Sequence, residues 1–287
     1  MSKFRWSNIL RGFGMGLSDL VPGVSGGTIA LLLGIYDDFI RSVSGLFSKR
    51  FWPSLRFLLP IVIGMGLAII SFSSLINYLL SEHTIVTMFF FLGLIIGIVP
   101  YLLKISNVKE NFDVRHYGLV LLGIVILVVI TLLNGGNKHG GESLDLSMGL
   151  VVKYFIAGIF ASSAMLLPGI SGSFMLLVFG AYGTVTFAIS ELVSFNFSAL
   201  PIILIVGLGI ITGFLLSSKL IQYLLNHFTY LTYAMILGFV IGSLYAVFPG
   251  LPNSIGEWIL ALITLVIGFA ISFILGNICL LYTSLSG

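Results

Sequence analysis

Two short stretches decide the fold: Pro22–Gly27 reads Pro-Gly-Val-Ser-Gly-Gly, and Pro168–Ser173 reads Pro-Gly-Ile-Ser-Gly-Ser. They lie 146 residues apart (168 − 22), which is about half of the 287-residue chain. Each stretch interrupts an apolar run. Proline and glycine break helices, because proline lacks the amide hydrogen and glycine leaves the backbone unrestricted. The pattern therefore predicts two broken apolar helices at corresponding places in a duplicated chain.

Other residues repeat at the same spacing. The matched pairs are Gly12 with Gly158, Gly34 with Gly180, and Tyr36 with Tyr182. Scattered leucine and isoleucine identities arise easily in apolar sequence, whereas ordered matches at Pro, Gly, Ser and Tyr do not. We therefore predict two copies of one unit, residues 1–134 and 148–287. The polar segment 135–147 is predicted to join them on the outer side of a membrane.

The composition indicates a membrane protein. The chain is 58% hydrophobic and 8% charged, with a mean hydropathy of +1.17, whereas soluble domains carry about 25% charged residues. We predict an all-α polytopic membrane protein made of two inverted repeats, each with a re-entrant broken-helix hairpin and three transmembrane helices. The hairpins are predicted over Gly12–Ile40 and Leu150–Ser190, either re-entrant or as pairs of tight spans. The predicted crossings are Phe57–Leu80, Thr84–Leu103, Tyr117–Leu133, Pro201–Leu225, Tyr230–Phe248 and Trp258–Leu281.

The distribution of Lys and Arg predicts the topology, because these residues mark the cytoplasmic side. Three groups of them are expected there: Lys3, Arg5 and Arg11; Arg41, Lys49, Arg50 and Arg56; Lys104, Lys109 and Arg115. The second unit then starts outside and repeats the pattern upside down. Both termini are predicted to be cytoplasmic.

Several classes of function do not fit this sequence. A net charge of +3 without a basic patch gives no reason to expect a nucleic-acid partner. The four histidines lie far apart and Cys279 is the only cysteine, so neither a metal site nor a disulfide is predicted. No cofactor is predicted.

The two breaks are the predicted functional site. An apolar helix is expected after each one, over Thr28–Tyr36 and Phe174–Tyr182, and the amide groups at a helix N-terminus favour an anion. Two such tips, entering from opposite faces, are expected to meet near the membrane centre and hold one anion. Close packing by small residues is the alternative explanation. The predicted substrate-binding residues are Pro22, Gly23, Ser25, Gly26, Gly27, Thr28, Tyr36, Pro168, Gly169, Ser171, Gly172, Ser173, Tyr182 and Arg11.

Asp19 is an ionisable residue inside an apolar segment, which makes it a functional candidate. The second unit has Met165 at the corresponding position. One interpretation is that Asp19 couples transport to a proton or a sodium ion. The other is that Asp19 caps a helix or pairs with Arg11.

The tips resemble the polyprenyl-phosphate transporter family (PopT). The resemblance rests on Asp19–Thr28, Gly34–Tyr36, Leu167–Phe174 and Gly180–Tyr182, and it extends over the whole chain. It implies a transporter in the bacterial cytoplasmic membrane that is not an enzyme. The implied substrate is undecaprenyl phosphate, an anionic isoprenoid lipid that is returned from the outer to the inner leaflet and reused in cell-wall synthesis. The implied partners are this lipid and the surrounding membrane lipids.

Two other functions remain open. Undecaprenyl-pyrophosphate phosphatases are similar in having re-entrant hairpins, but their motif carries an arginine where this chain has Gly26 and Gly172. Phosphoryl transfer needs positive charge or a metal, and no acidic cluster is predicted in the membrane to hold one. A secondary transporter of a small soluble anion is the second alternative, because the same tips would serve it.

Overall fold

The computed structural model describes residues 6–21, 24–133 and 147–286. Within these ranges the chain forms helices and turns, and no β-strand occurs. The helices are α1 Ser7–Asp19, α2 Gly26–Leu32, α3 Tyr36–Gly45, α4 Phe51–Glu82, α5 Thr84–Ile105, α6 Val108–Asn111, α7 Val114–Leu133, α8 Met148–Leu166, α9 Gly172–Val178, α10 Tyr182–Val193, α11 Leu200–His227, α12 Thr229–Val247 and α13 Ile255–Ser286. The predicted linker lies outside the described residues except for Ser147.

Seven of the described helices are long and apolar enough to cross a membrane: α4, α5, α7, α8, α11, α12 and α13. The number rises to eight if α9 and α10, which are bent by 119° at the break between them, are counted as one span. Uncharged apolar runs form helices here because every backbone group must be bonded within the segment. The predicted all-α polytopic fold is confirmed. All six predicted crossings are helical, with ends close to those expected.

The long helices pack in pairs that correspond between the two halves of the chain. In the first half α1 packs along α4, and in the second half α8 packs along α11. Helix α5 packs along α13, and the corresponding helices α12 and α7 pack along each other. The last two pairs each join one half to the other. The orientation of the halves across the membrane, and the side on which the linker lies, stay predictions.

Repeated glycines lie at the crossings of these pairs. A Cβ atom added to Gly12 would lie 2.0 Å from the carbonyl oxygen of Ile61 on α4. A Cβ atom added to Gly158 would lie 2.5 Å from that of Val206 on α11. Helices in lipid associate through close packing rather than through hydrophobic burial. These glycines therefore have a structural role.

Each half also contains a hairpin of three consecutive helices, α1–α2–α3 in the first half and α8–α9–α10 in the second. The helices after the breaks were predicted to run to Tyr36 and Tyr182, and this is wrong. Helix α2 ends at Leu32 and α9 at Val178, since Gly34 and Gly180 adopt positive φ angles of 64° and 59°. The amides that follow turn back onto the last turn of each helix: Ile35 N bonds Ala30 O at 3.0 Å, and Ala181 N bonds Leu176 O at 2.8 Å. This glycine cap stops the helix, so each tyrosine begins the next one.

Candidate functional site

The first break lies between α1 and α2. Ser25 is extended at the N-cap of α2, and its hydroxyl accepts a hydrogen bond from Gly27 N at 3.1 Å. The Asp19 carboxylate, at the end of α1, accepts one from Gly26 N at 2.7 Å. A short bond between a carboxylate and an amide is stronger than a neutral one. Asp19 therefore caps α2 and holds the end of α1 against it.

The second break lies between α8 and α9. Gly169 has a φ of +88°, and a Cβ atom added there would lie 2.7 Å from Phe239 O on α12. Only glycine fits this position without strain. Ser171 caps α9 by accepting a hydrogen bond from Phe174 N at 3.2 Å, and its hydroxyl lies 3.4 Å from that of Ser173. Pro168 is buried in the turn before Gly169.

The two tips meet, as predicted. Thr28 Oγ1 accepts a hydrogen bond from Gly169 N at 2.9 Å. The Ser25 hydroxyl donates to Leu167 O at 3.3 Å, and the Tyr36 hydroxyl donates to Leu166 O at 3.0 Å. We call these three contacts the tip junction. They satisfy backbone groups that the broken α8 helix leaves unpaired, and an unpaired group in an apolar setting costs several kcal/mol.

Three of the amide groups predicted to be free for an anion are bonded in this structure. Gly26 N, Gly27 N and Phe174 N donate to the side chains of Asp19, Ser25 and Ser171, respectively. Helices α2 and α9 are seven residues each, so each also has a small dipole. The polar groups gathered here are instead the hydroxyls and the Gly169 amide of the tip junction.

The other predicted glycines of the two tips, Gly26 and Gly172, have different neighbours. Pro22 and Gly23 lie outside the described residues. Gly172 is buried at the start of α9, where an added Cβ would lie 2.7 Å from Met165 Cγ. The corresponding atom on Gly26 would lie 2.9 Å from Asp19 Oδ2. Met165 thus occupies in the second hairpin the place of Asp19 in the first.

Two predicted residues are not brought to the junction. Arg11 donates a hydrogen bond to Asn8 Oδ1 at 2.9 Å on its own helix. Eight residues of helix separate Arg11 from Asp19, which is about 12 Å along the axis. In the described ranges the only ion pair joins Asp113 and His116, so Asp19 has no cationic partner there. Tyr182 is 38% exposed on the outer surface, although Tyr36 is 2% exposed.

An apolar cavity of about 430 Å³ adjoins the junction. We call it the tip cavity. Its floor is formed by Asp19, Gly26, Gly27, Met165 and Leu166. Its walls are side chains of α4, of α3 with the turn that follows it, and of α11, among them Leu59, Val62, Met65, Phe39, Val43, Ile211 and Phe214. Asp19 is the only charged residue among the described residues that line it. The volume falls within the range of about 300–1,000 Å³ that is typical of small-molecule sites.

Sequence reasoning missed the walls of this cavity and the carbonyl groups of Leu166 and Leu167. Apolar residues on a membrane helix carry no signal that separates a cavity wall from a lipid-facing surface. The carbonyls belong to a backbone whose path depends on the positive φ of Gly169. The mismatch of Asp19 with Met165 gave a hint that the two tips differ.

Comparison with known proteins gives a consistent result. A family model described as undecaprenyl phosphate translocase-like matches residues 15–260. The polyprenyl-phosphate transporter of Staphylococcus aureus (strain NCTC 8325 / PS 47) is 66% identical over 278 residues, covering 97% of this chain and 98% of that protein. The polyprenyl-phosphate transporter of Vibrio cholerae is 32% identical over 261 residues, covering 85% and 77%. No solved structure matches the chain. Both relatives are named as transporters, which agrees with the prediction that the chain is not an enzyme.

Proposed function

The chain belongs to the undecaprenyl phosphate translocase-like family, and we propose on this premise that it carries undecaprenyl phosphate across a bacterial cytoplasmic membrane. The resemblance read from the sequence is confirmed by the family model and by both relatives. Their names supply the polyprenyl-phosphate substrate. We add the direction, from the outer to the inner leaflet, and the purpose, which is to recycle the lipid carrier of cell-wall synthesis.

The observation that carries the proposal is the tip junction beside an apolar cavity. An ionised phosphate cannot cross hydrocarbon alone, because desolvating an ion costs tens of kcal/mol in the Born limit. The Thr28 hydroxyl and the Gly169 amide are bonded to each other. When the tips separate, both become donors for a phosphate oxygen. Ser25, Ser171 and Ser173 add further hydroxyls within the same two tips.

The isoprenoid tail needs no aqueous path. Most of it can remain in the lipid while the protein shields the head group. Alternating access would then come from rocking of unit 1–134 against unit 148–287, the movement expected of inverted repeats with broken helices. We expect the three bonds of the tip junction to close the path between the two sides of the membrane in this conformation. They would break and reform once in each transport cycle.

Asp19 is the proposed coupling residue. Its carboxylate accepts the hydrogen bond from Gly26 N, and the residue lines the tip cavity. A phosphate entering the junction would approach this carboxylate, and two like charges at short range repel. Binding of a proton or a sodium ion at Asp19 would remove the repulsion. Transport of the anion would then be linked to movement of the cation.

Leaflet-specific accessibility of undecaprenyl phosphate in proteoliposomes tests the proposal. The informative variant is Thr28→Val, which keeps the shape of the side chain but removes the junction hydroxyl. The matched control is Thr212→Val, because Thr212 is half-buried on α11 and its hydroxyl donates to Leu208 O of the same helix. We expect protein-dependent movement of the lipid that is reduced about tenfold or more in Thr28→Val and unchanged in the control.

Three results would overturn the proposal. Absence of lipid movement, with proton and sodium gradients imposed, would favour transport of a small soluble anion. Release of free phosphate would favour an enzyme. Equal transport by Thr28→Val and by the intact protein would remove the tip junction from the mechanism.

A further inference from the structure

The tip cavity has a lining that suits a hydrocarbon chain rather than a hydrated ligand. Its walls are apolar side chains of α4, of α3 with the turn that follows it, and of α11, and Asp19 is the only charged residue among its described lining. Small soluble anions would gain no partner from such walls. Since the surrounding lipid is as apolar as these walls, an isoprenoid chain would be held here by close packing rather than by removal from water.

The position of the cavity points to the chain of one particular ligand. Its floor includes Gly26, Gly27 and Leu166. Leu166 O is itself a member of the tip junction, bonded to Tyr36. A ligand whose polar end lies at the junction therefore has its next carbon atoms in this cavity.

The rim of the cavity leads into the membrane. Val62 on α4 is 60% exposed and Ile211 on α11 is 49% exposed, and both line the cavity. Side chains that are exposed on apolar spanning helices face lipid. A long chain can thus leave the cavity sideways between α4 and α11 without crossing the protein.

We propose that the tip cavity binds the isoprene units next to the phosphate of a polyprenyl phosphate, while the rest of the tail leaves between α4 and α11. This inference rests on the proposed function, and it adds the part of the protein that recognises the tail. Met15, Met65 and Met165 contribute to the lining. Methionine is flexible and polarisable, so these walls can fit a methyl-branched chain.

Photolabelling tests this site. The probe is a polyprenyl phosphate with a diazirine in the first isoprene units, added to the full chain in proteoliposomes of phosphatidylglycerol and phosphatidylethanolamine. Labelled peptides are mapped by mass spectrometry. Labels are expected on α4 over residues 55–65 and on α11 over 211–214, and excess unlabelled polyprenyl phosphate is expected to displace them.

Variants at the rim sharpen the test. Val62→Trp and Ile211→Trp should fill the cavity and lower labelling by roughly tenfold, because the indole ring takes the space and the packing contacts of the isoprene units. The controls are Ile63→Trp and Leu208→Trp, exposed positions on the same helices that do not line the cavity. All four positions are exposed, so folding should be kept, and detergent size-exclusion profiles check this.

The outcomes separate this inference from the proposed function. Transport by the intact protein with labels elsewhere, or with labels unaffected by Val62→Trp, would overturn the cavity assignment and leave the function standing. Displacement of the probe by straight-chain phosphatidic acid as readily as by polyprenyl phosphate would overturn the choice of ligand. Absence of transport by the intact protein would overturn the proposed function and the inference together.

Discussion

The two hairpins share a plan but differ in chemistry. In the first hairpin Asp19 lies against Gly26 and Tyr36 is buried at the junction. In the second hairpin Met165 lies against Gly172 and Tyr182 is exposed. The first hairpin supplies side-chain hydroxyls to the junction, and the second supplies backbone groups. The first hairpin is therefore the side-chain half of the tip junction, and the second hairpin is its backbone half.

The two hairpins therefore depend on different residues to hold their polar groups in place. In the second hairpin the backbone groups depend on Gly169, because its positive φ allows the path that the backbone takes. Side-chain groups are positioned by the helix that carries them, and in the first hairpin the Asp19 and Ser25 caps hold α2 in place. Loss of either kind of support would separate the tips, but through different substitutions.

The largest expected effect is that of Gly169→Ala. The positive φ strains any other residue by about 1–3 kcal/mol, and the added carbon would clash with Phe239 O at 2.7 Å. We expect a lower apparent melting temperature in detergent and little folded protein. The control is Gly207→Ala, because a Cβ atom at Gly207 meets nothing within 4 Å. Equal melting temperatures for the two variants would show that the backbone half is not constrained.

Removing one hydroxyl from each hairpin compares them directly. Tyr36→Phe loses the bond to Leu166 O, and a buried acceptor left unpaired costs about 1–3 kcal/mol. Tyr182→Phe should change stability by less than about 0.5 kcal/mol because the side chain is partly exposed. Thermal unfolding followed by tryptophan fluorescence measures both. The asymmetry between the hairpins would be refuted if Tyr182→Phe were the more damaging change.

Asp19→Asn separates the cap from the charge. The amide oxygen of asparagine can still accept the hydrogen bond from Gly26 N, so folding should be nearly unchanged. Because asparagine does not ionise, lipid movement should no longer respond to an imposed proton or sodium gradient. Proteoliposome transport with and without each gradient measures this. Asp38→Asn is the matched control and should keep the response, since Asp38 is exposed on α3 and does not line the tip cavity; a gradient response that survives in Asp19→Asn would remove Asp19 from coupling.

The smallest expected effect is that of Arg11→Ala. Arg11 bonds to Asn8 at 2.9 Å and is about 12 Å from Asp19 along its helix. Partly exposed polar contacts of this kind contribute about 0.5 kcal/mol or less. Transport should change by no more than about twofold at physiological salt. A tenfold loss that is sensitive to ionic strength would instead place Arg11 in recruitment of the phosphate.

Much of the fold followed from local sequence. Runs such as Thr84–Ile105 form helices because they are apolar, and lipid leaves no other way to satisfy their backbone. The sequence paired Gly34 with Gly180 but did not predict the turns there, and α2 and α9 each end four residues earlier than predicted. The helix ends depended on how the amides of Ile35 and Ala181 turn back, a three-dimensional detail that hydropathy does not carry.

The candidate site was only partly predictable. The sequence predicted Ser25, Thr28, Gly169 and Ser171 as binding residues because they lie at helix breaks, where amides and hydroxyls can bind an anion. It treated Tyr36 and Tyr182 alike, since a repeat implies equal surroundings, but one is buried and the other is exposed. It also suggested free amide groups, whereas the adjacent Asp19, Ser25 and Ser171 side chains bond to them.

From the sequence alone it follows that this chain is an all-helical membrane protein with two Pro-Gly-x-Ser-Gly breaks, whose residues carry the resemblance to its family. Those features are local, and they depend on apolar runs, helix-breaking residues and fixed spacing. The tertiary structure alone decided that Thr28 meets Gly169, that Tyr36 meets Leu166, and that α4 and α11 enclose a cavity beside them. These contacts join residues 130 or more positions apart, and only the packing of whole helices brings such residues together.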